Sequence, residues 1–136
     1  MKSDVILNKI GTIERCVKRI NEEYANHPDN LENYTKQDSI VLNIQRACEA
    51  SIDIAMHAVA EKKLGIPQTS RDAFELLAKN KVITEDLSFK MKAMVGFRNI
   101  AVHDYQDINL DIVKAIIEKH LQDYKDFTKQ ILAFQG

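Results

Sequence analysis

Tryptophan is absent from this chain, proline and cysteine occur twice each, and glycine only four times. Each shortage excludes something. So few turn-forming residues cannot punctuate the short strands of a sandwich or barrel, nor the alternation of an α/β sheet, so the expected class is all-α. Cys16 and Cys48 both lie in apolar helical patterns and neither belongs to a CxxC pair. A zinc ribbon, a dithiol redox motif and a disulfide scaffold are therefore excluded, and the two read as core thiols in a reducing compartment. No apolar run approaches the ~18 residues of a membrane span, and Met1 to Ile10 lacks the apolar segment of a secretory leader. The expectation is a cytoplasmic protein without a membrane partner. Charge of one sign is missing too: 19 Lys and Arg stand against 20 Asp and Glu, a net charge of −1. A surface built to coat polyanions is thereby ruled out, while a local basic patch remains open.

What the chain does have is 136 residues, 45% of them apolar, enough to bury roughly two thirds of the unfolded surface in one domain, residues 1–136, without a metal or disulfide. Ile6, Ile10, Ile13, Val17, Ile20 and Tyr24 recur in steps of four and three and form a first amphipathic helix. It stops before His27-Pro28-Asp29-Asn30, since the residue before a proline is pushed from the α region. A second helix is expected from about Lys36 or Asp38 to Leu64, closed by Gly65 and Pro67. It carries two apolar stripes, Val41-Ile44-Cys48-Ile52-Ala55-Val59 and Ile40-Ala47-Ser51-Ile54-Ala58, so it belongs at the centre of a bundle or at an oligomer contact. Thr69 or Ser70 opens a short third helix through Lys79, and Thr84 caps a fourth that reaches about Val102. Asn109 opens a fifth, with Ile108 and Val113 as a hydrophobic staple. Its expected buried edge is Val113, Ile117, His120, Tyr124, Phe127, Ile131 and Phe134. The architecture is thus a bundle of about five helices, four long and one short.

Chemistry is scarce along most of this chain. Leu87, Met91 and Met94 form an apolar stripe on the fourth helix, and its next position is Arg98, a charge that burial penalises unless an anion or acceptor meets it. The bland reading is an arginine paired with a carboxylate on a neighbouring helix. Just beyond it, Phe97-Arg98-Asn99-Ile100-Ala101-Val102-His103-Asp104-Tyr105 gathers polar and ionisable groups where the helix is ending. Histidine can take and give a proton at cellular pH, and arginine grips phosphate bidentately. Residues five apart on an unbroken helix point about 140° apart, so Arg98 and His103 converge only if the helix frays near Val102. Fraying would leave His103, Asp104 and Tyr105 on the link before Asn109. Tyr105 is flanked by Asp104, Gln106 and Asp107, unlike Tyr124, whose neighbours at helical spacing are apolar; it reads as an accessible phenol.

The remaining candidates carry less. Asp53 and His57, with Arg46 and Glu49, form a polar edge on the second helix, either a solvated face with an ion pair one turn apart or a group that lines the cleft beneath Arg98 and orients it. His120 reads as a satisfied core residue and His27 as loop. No His, Cys or carboxylate spacing fits a metal site, and no glycine-rich phosphate loop is present, so no cofactor is expected.

Arg98, His103 and Tyr105 follow the spacing R-x4-H-x-Y, at the end of the penultimate helix of an all-α chain, and Asn99 follows the arginine. With the segment Asn43 to Val59, this resembles the HepT-type toxins of the HEPN superfamily over nearly the whole chain. The resemblance implies a HEPN-like helical bundle and a metal-independent endoribonuclease whose active site forms where two copies of the motif meet in a homodimer. It also implies the toxin half of a type VII toxin-antitoxin pair. The cognate antitoxin would be a minimal nucleotidyltransferase that silences the toxin by moving AMP onto the motif tyrosine, here Tyr105. The chemistry agrees: metal-free RNA cleavage needs a base for the 2′-hydroxyl, an acid for the departing 5′-oxygen and positive charge on the transition state. One motif has one histidine; two across a two-fold axis have two, with both Arg98 side chains on the phosphate. Two other readings remain open, a catalytically silent HEPN module that binds nucleotide or RNA and a structural helical adaptor.

Overall fold

The computed structural model describes residues 3–135 and contains no strand among them. Its helices are α1 (Asp4–Tyr24), α2 (Tyr34–Glu61), α3 (Ser70–Lys79), α4 (Glu85–His103), α5 (Leu110–Ala115) and α6 (Leu121–Gln135). A π-helical turn, Ile116–His120, joins the last two, so the expected fifth helix is one helical run with a widened turn inside it. The bundle is all-helical, as its composition requires.

The helix starts are set by side chains that accept orphan backbone N–H groups. Thr69 Oγ1 accepts from Asp72 N at 3.1 Å, Thr84 Oγ1 from Leu87 N at 3.1 Å, and Asn109 Oδ1 from Asp111 N at 2.8 Å. Helix α2 begins earlier than expected. Asn33 Oδ1 accepts from Lys36 N at 3.0 Å, and the preceding 3-10 turn, Pro28–Glu32, delivers that cap. It also ends earlier, at Glu61, because Lys63 adopts a left-handed φ of 54° and Gly65 a φ of 142° that residues with a β-carbon rarely reach.

α2 is the spine. Lys9 meets Asp53 and Ser3 meets His57, so α1 runs antiparallel along one side. Arg98 meets Glu49 and Tyr105 meets Asp38, so α4 runs antiparallel along another. Tyr124 of α6 is fully buried and donates its hydroxyl to the Ile44 carbonyl at 3.0 Å. Both stripes of α2 are consequently covered, Ile40, Val41, Ile44, Ile54, Ala55 and Val59 all being buried. Ile6, Ile13, Ile20, Met91 and Phe127 complete the core, and Phe74 packs edge-on against Phe127 with ring centroids 5.6 Å apart.

Two members of the expected buried edge of the last helix are not in the core. His120 leaves its side chain 42% accessible beside Asp123, and Phe134 is 38% exposed. A π turn stacks residues five apart, so Ile116 is followed on the core side by Leu121, which is buried, and not by His120. Cys16 and Cys48 are free, buried thiols, as expected.

Candidate active site

Arg98 continues the stripe of Leu87, Met91 and Met94, all buried, and its guanidinium emerges between α2 and α4. There Glu49 receives it. One carboxylate oxygen, Oε2, accepts from Arg98 Nε at 3.1 Å and Nη2 at 3.0 Å, while Nη1 donates to Asn99 Oδ1 at 3.1 Å. The pair is partly wet, the side chains being 29% and 36% accessible. Gln45, one turn before Glu49, donates to the same oxygen at 3.5 Å. Arg98 is therefore aimed and partly neutralised from α2, with one guanidinium edge occupied by Glu49 and another by its own neighbour.

His103 is the last residue of α4, and the fraying expected near Val102 does not occur. The Asp104 N–H donates to the Ile100 carbonyl at 2.8 Å and keeps the final turn closed; the helix breaks only at Asp104, at φ −140°. Arg98 and His103 thus keep the ~140° divergence of an intact helix. The imidazole is exposed and stands at the carbonyl end of the helix.

Tyr105 opens a 3-10 turn, Tyr105–Asp107, and is 40% exposed. Its hydroxyl donates to Asp38 Oδ1. Burial first, then that hydrogen bond and the carboxylate charge, push the phenol up to about 12 from its usual 10, so it is neutral at cellular pH with its proton already directed at a carboxylate. Below this surface, burial pushes the Cys48 thiol up to about 12, against the pull of the nearby Arg98 charge.

The two accessory candidates on α2 point elsewhere. Asp53 is held by Lys9 of α1 at 2.9 Å. His57 Nε2 lies 3.1 Å from Ser3 Oγ and 3.2 Å from Glu61 Oε2, so its carboxylate partner is Glu61 and not Asp53. Asn99, by contrast, touches Arg98. The residues that meet the motif from α2 are Glu49 and Asp38, eleven apart and so nearly superposed on one helix face. Stepping back from Glu49 along that face, through Gln45, leads to Asp38; the signal was present but faced the N-terminal half of the helix. Among the described residues no cluster of three His, Cys, Asp or Glu is arranged to hold a metal, and no helix is long and apolar enough to cross a membrane.

Comparison with known proteins matches the ribonuclease HepT-like family to residues 6–131. The chain is 53% identical over 131 residues to the mRNA nuclease HepT of Shewanella oneidensis, covering 96% of this chain and 98% of that protein. It is 31% identical over 131 residues to the tRNA nuclease HepT of Aphanizomenon flos-aquae, covering 96% and 89%. Its backbone superposes on the tri-AMPylated Shewanella oneidensis HEPN toxin in complex with MNT antitoxin with a TM-score of 0.93, at 53% identity and coverage of 97% and 99%.

Proposed function

The chain belongs to the HepT-like ribonucleases of the HEPN superfamily, and on that premise we propose that it is a toxin that cleaves RNA, without a metal, at a site shared between two copies. The observation that carries the reading is the unbroken last turn of α4, which ends at His103. That turn leaves the imidazole exposed at the end of the helix, and each copy of the motif offers one histidine where metal-free cleavage needs both a base and an acid. A second copy across a two-fold axis supplies the missing histidine. One imidazole then takes the 2′-hydroxyl proton, the other protonates the 5′-oxygen, and the Arg98 guanidinium groups stabilise the charge that builds on phosphorus.

Silencing fits the same surface. Tyr105 presents its hydroxyl two residues beyond His103, and the relative with the AMPylated structure was solved in complex with its MNT antitoxin. In this chain a cognate nucleotidyltransferase would join the Tyr105 oxygen to the α-phosphorus of ATP, expelling pyrophosphate. Asp38, which already accepts the phenolic hydrogen bond, is placed to take the proton. The added charge and bulk at the mouth of the cleft would repel an RNA backbone. Such a pair operates in the cytoplasm, where its free thiols stay reduced.

The test is cleavage of cellular RNA, with mapping of the ends, by the native chain, by Arg98→Ala and by His103→Ala. Each variant should lose several orders of magnitude while keeping its helical spectrum, and EDTA should change nothing. Light scattering should give a dimer. A monomer with full activity, or activity that chelation abolishes and magnesium restores, overturns the mechanism.

A further inference from the structure

Outside the motif, one cation lies against the face of α4 that carries His103 without joining any ion pair among the described residues. Arg71, in the first turn of α3, is exposed and takes part in none of the ion pairs formed among the described residues. Its Nη2 reaches to 3.2 Å from where a β-carbon on Gly96 would stand. Glycine in mid-helix weakens the helix relative to alanine; here a β-carbon would press on the guanidinium that crosses from α3 to α4 and push it back by a few tenths of an ångström. Lys92, one turn earlier on α4, differs from Arg71 in being neutralised by Glu75 at 2.8 Å.

Lys92, Gly96, Asn99 and His103 follow one another in steps of four, three and four, so they lie along one face of α4. Gly96 and His103 are two turns apart, about 10 Å along the axis. That separation is too long for both groups to serve one phosphate and suits neighbouring phosphates of a strand laid along the helix. A free guanidinium is planar and binds phosphate oxygens bidentately, whereas Lys92, already paired, has no charge to spare.

We propose that Arg71 is a second phosphate-binding residue of the RNA cleft, gripping a backbone phosphate next to the scissile one, and that Gly96 is the seat that lets its guanidinium lie against α4. The assignment rests on the ribonuclease reading above. It involves no base contact, so it strengthens binding uniformly across sequences. Specificity comes from elsewhere.

The experiment measures binding of a fluorescein-labelled single-stranded RNA to the full chain carrying His103→Ala, which cannot cleave it, across a salt series. Adding Arg71→Ala should weaken binding roughly tenfold at low salt and flatten the slope of log affinity against log salt by about 0.7, the contribution of one phosphate contact on a single strand. In the cleavage-competent chain Arg71→Ala should raise KM more than it lowers kcat. Gly96→Ala should reproduce part of the binding loss when Arg71 is present and none of it in the Arg71→Ala background, which separates the seat from a general effect on the helix. An unchanged salt slope and KM, with native cleavage intact, overturns the assignment of Arg71 alone. So does conversion of the dimer to monomer by Arg71→Ala, which would make Arg71 a subunit contact. Absence of RNA cleavage by the native chain, with RNA binding indifferent to Arg98→Ala, overturns the ribonuclease reading and this inference with it.

Discussion

Glu49 is where the model of the site is most exposed to test, because the same carboxylate both aims Arg98 and cancels part of its charge. In Glu49→Ala, Arg98 loses the two hydrogen bonds at 3.1 and 3.0 Å that fix its guanidinium. With the side chains 29% and 36% accessible, the pair lies between an exposed ion pair, worth ~0–1 kcal/mol, and a buried one, whose breakage costs ~3–5 kcal/mol. A stability loss of about 1–2 kcal/mol follows, or roughly 4–8 °C in Tm for a domain of this size. Catalysis should suffer more. A transition-state donor displaced by about 1 Å can lose on the order of 100-fold in rate, so kcat should fall roughly 10- to 100-fold. RNA binding should move the other way, since Arg98 without its counter-charge attracts phosphate more strongly. Glu49→Gln, which keeps an acceptor but not the charge, should retain kcat within about threefold and tighten binding, by the same reasoning. Single-turnover cleavage at several enzyme concentrations separates the two quantities, with thermal melts as the control for folding. If Glu49→Ala keeps native kcat and KM while Arg98→Ala is dead, the pair is structural and the positioning argument fails.

Three further outcomes are expected. Co-expression with the cognate nucleotidyltransferase should place AMP on Tyr105, Asp38→Asn should slow that transfer by roughly 100-fold or more, and Tyr105→Phe should escape it; peptide mass spectrometry that finds AMP on another residue refutes the assignment. Stability should fall at alkaline pH, because burial raises the Cys48 thiol from 9.0 to about 12 and burial with the Glu118 hydrogen bond raises Tyr24 from 10.0 to about 12. The folded state holds both protons more tightly, so the contribution is complete below pH 9 and is lost as pH climbs toward 12. Urea unfolding between pH 8 and 11 measures it, and Cys48→Ala should flatten the portion between pH 9 and 10. Met91→Ala, at a position with no exposure, should cost about 2–5 kcal/mol, measurable in the same unfolding series, with α4 and hence Arg98 losing its seat.

Local patterns carried the architecture because they depend on neighbours in sequence. The step of three and four residues put Ile6, Ile13 and Ile20 in the core, the doubled stripe of α2 announced a helix covered on two sides, Thr84 and Asn109 capped the helices they were read to cap, and of the pair Thr69 and Ser70 it is Thr69 that caps the third. The break in the stripe at Arg98, followed by His103 and Tyr105, drew attention to the candidate site for the same reason: a charge where periodicity requires a hydrophobe needs a partner. Which partner could not be read from spacing. Glu49, Asp53 and His57 all lie along the polar edge of α2, and only the antiparallel packing decides that α4 meets Glu49 and Asp38 while α1 takes Asp53 and His57. Register between helices is a property of packed surfaces many residues apart. Two local features also escaped the pattern. The π turn that brings Leu121 and not His120 to the core is one residue of extra winding that a 3.6-residue period does not contain. The last turn of α4 is closed at its end by a backbone hydrogen bond from Asp104, and whether that bond forms is decided by where the packed chain beyond it must go.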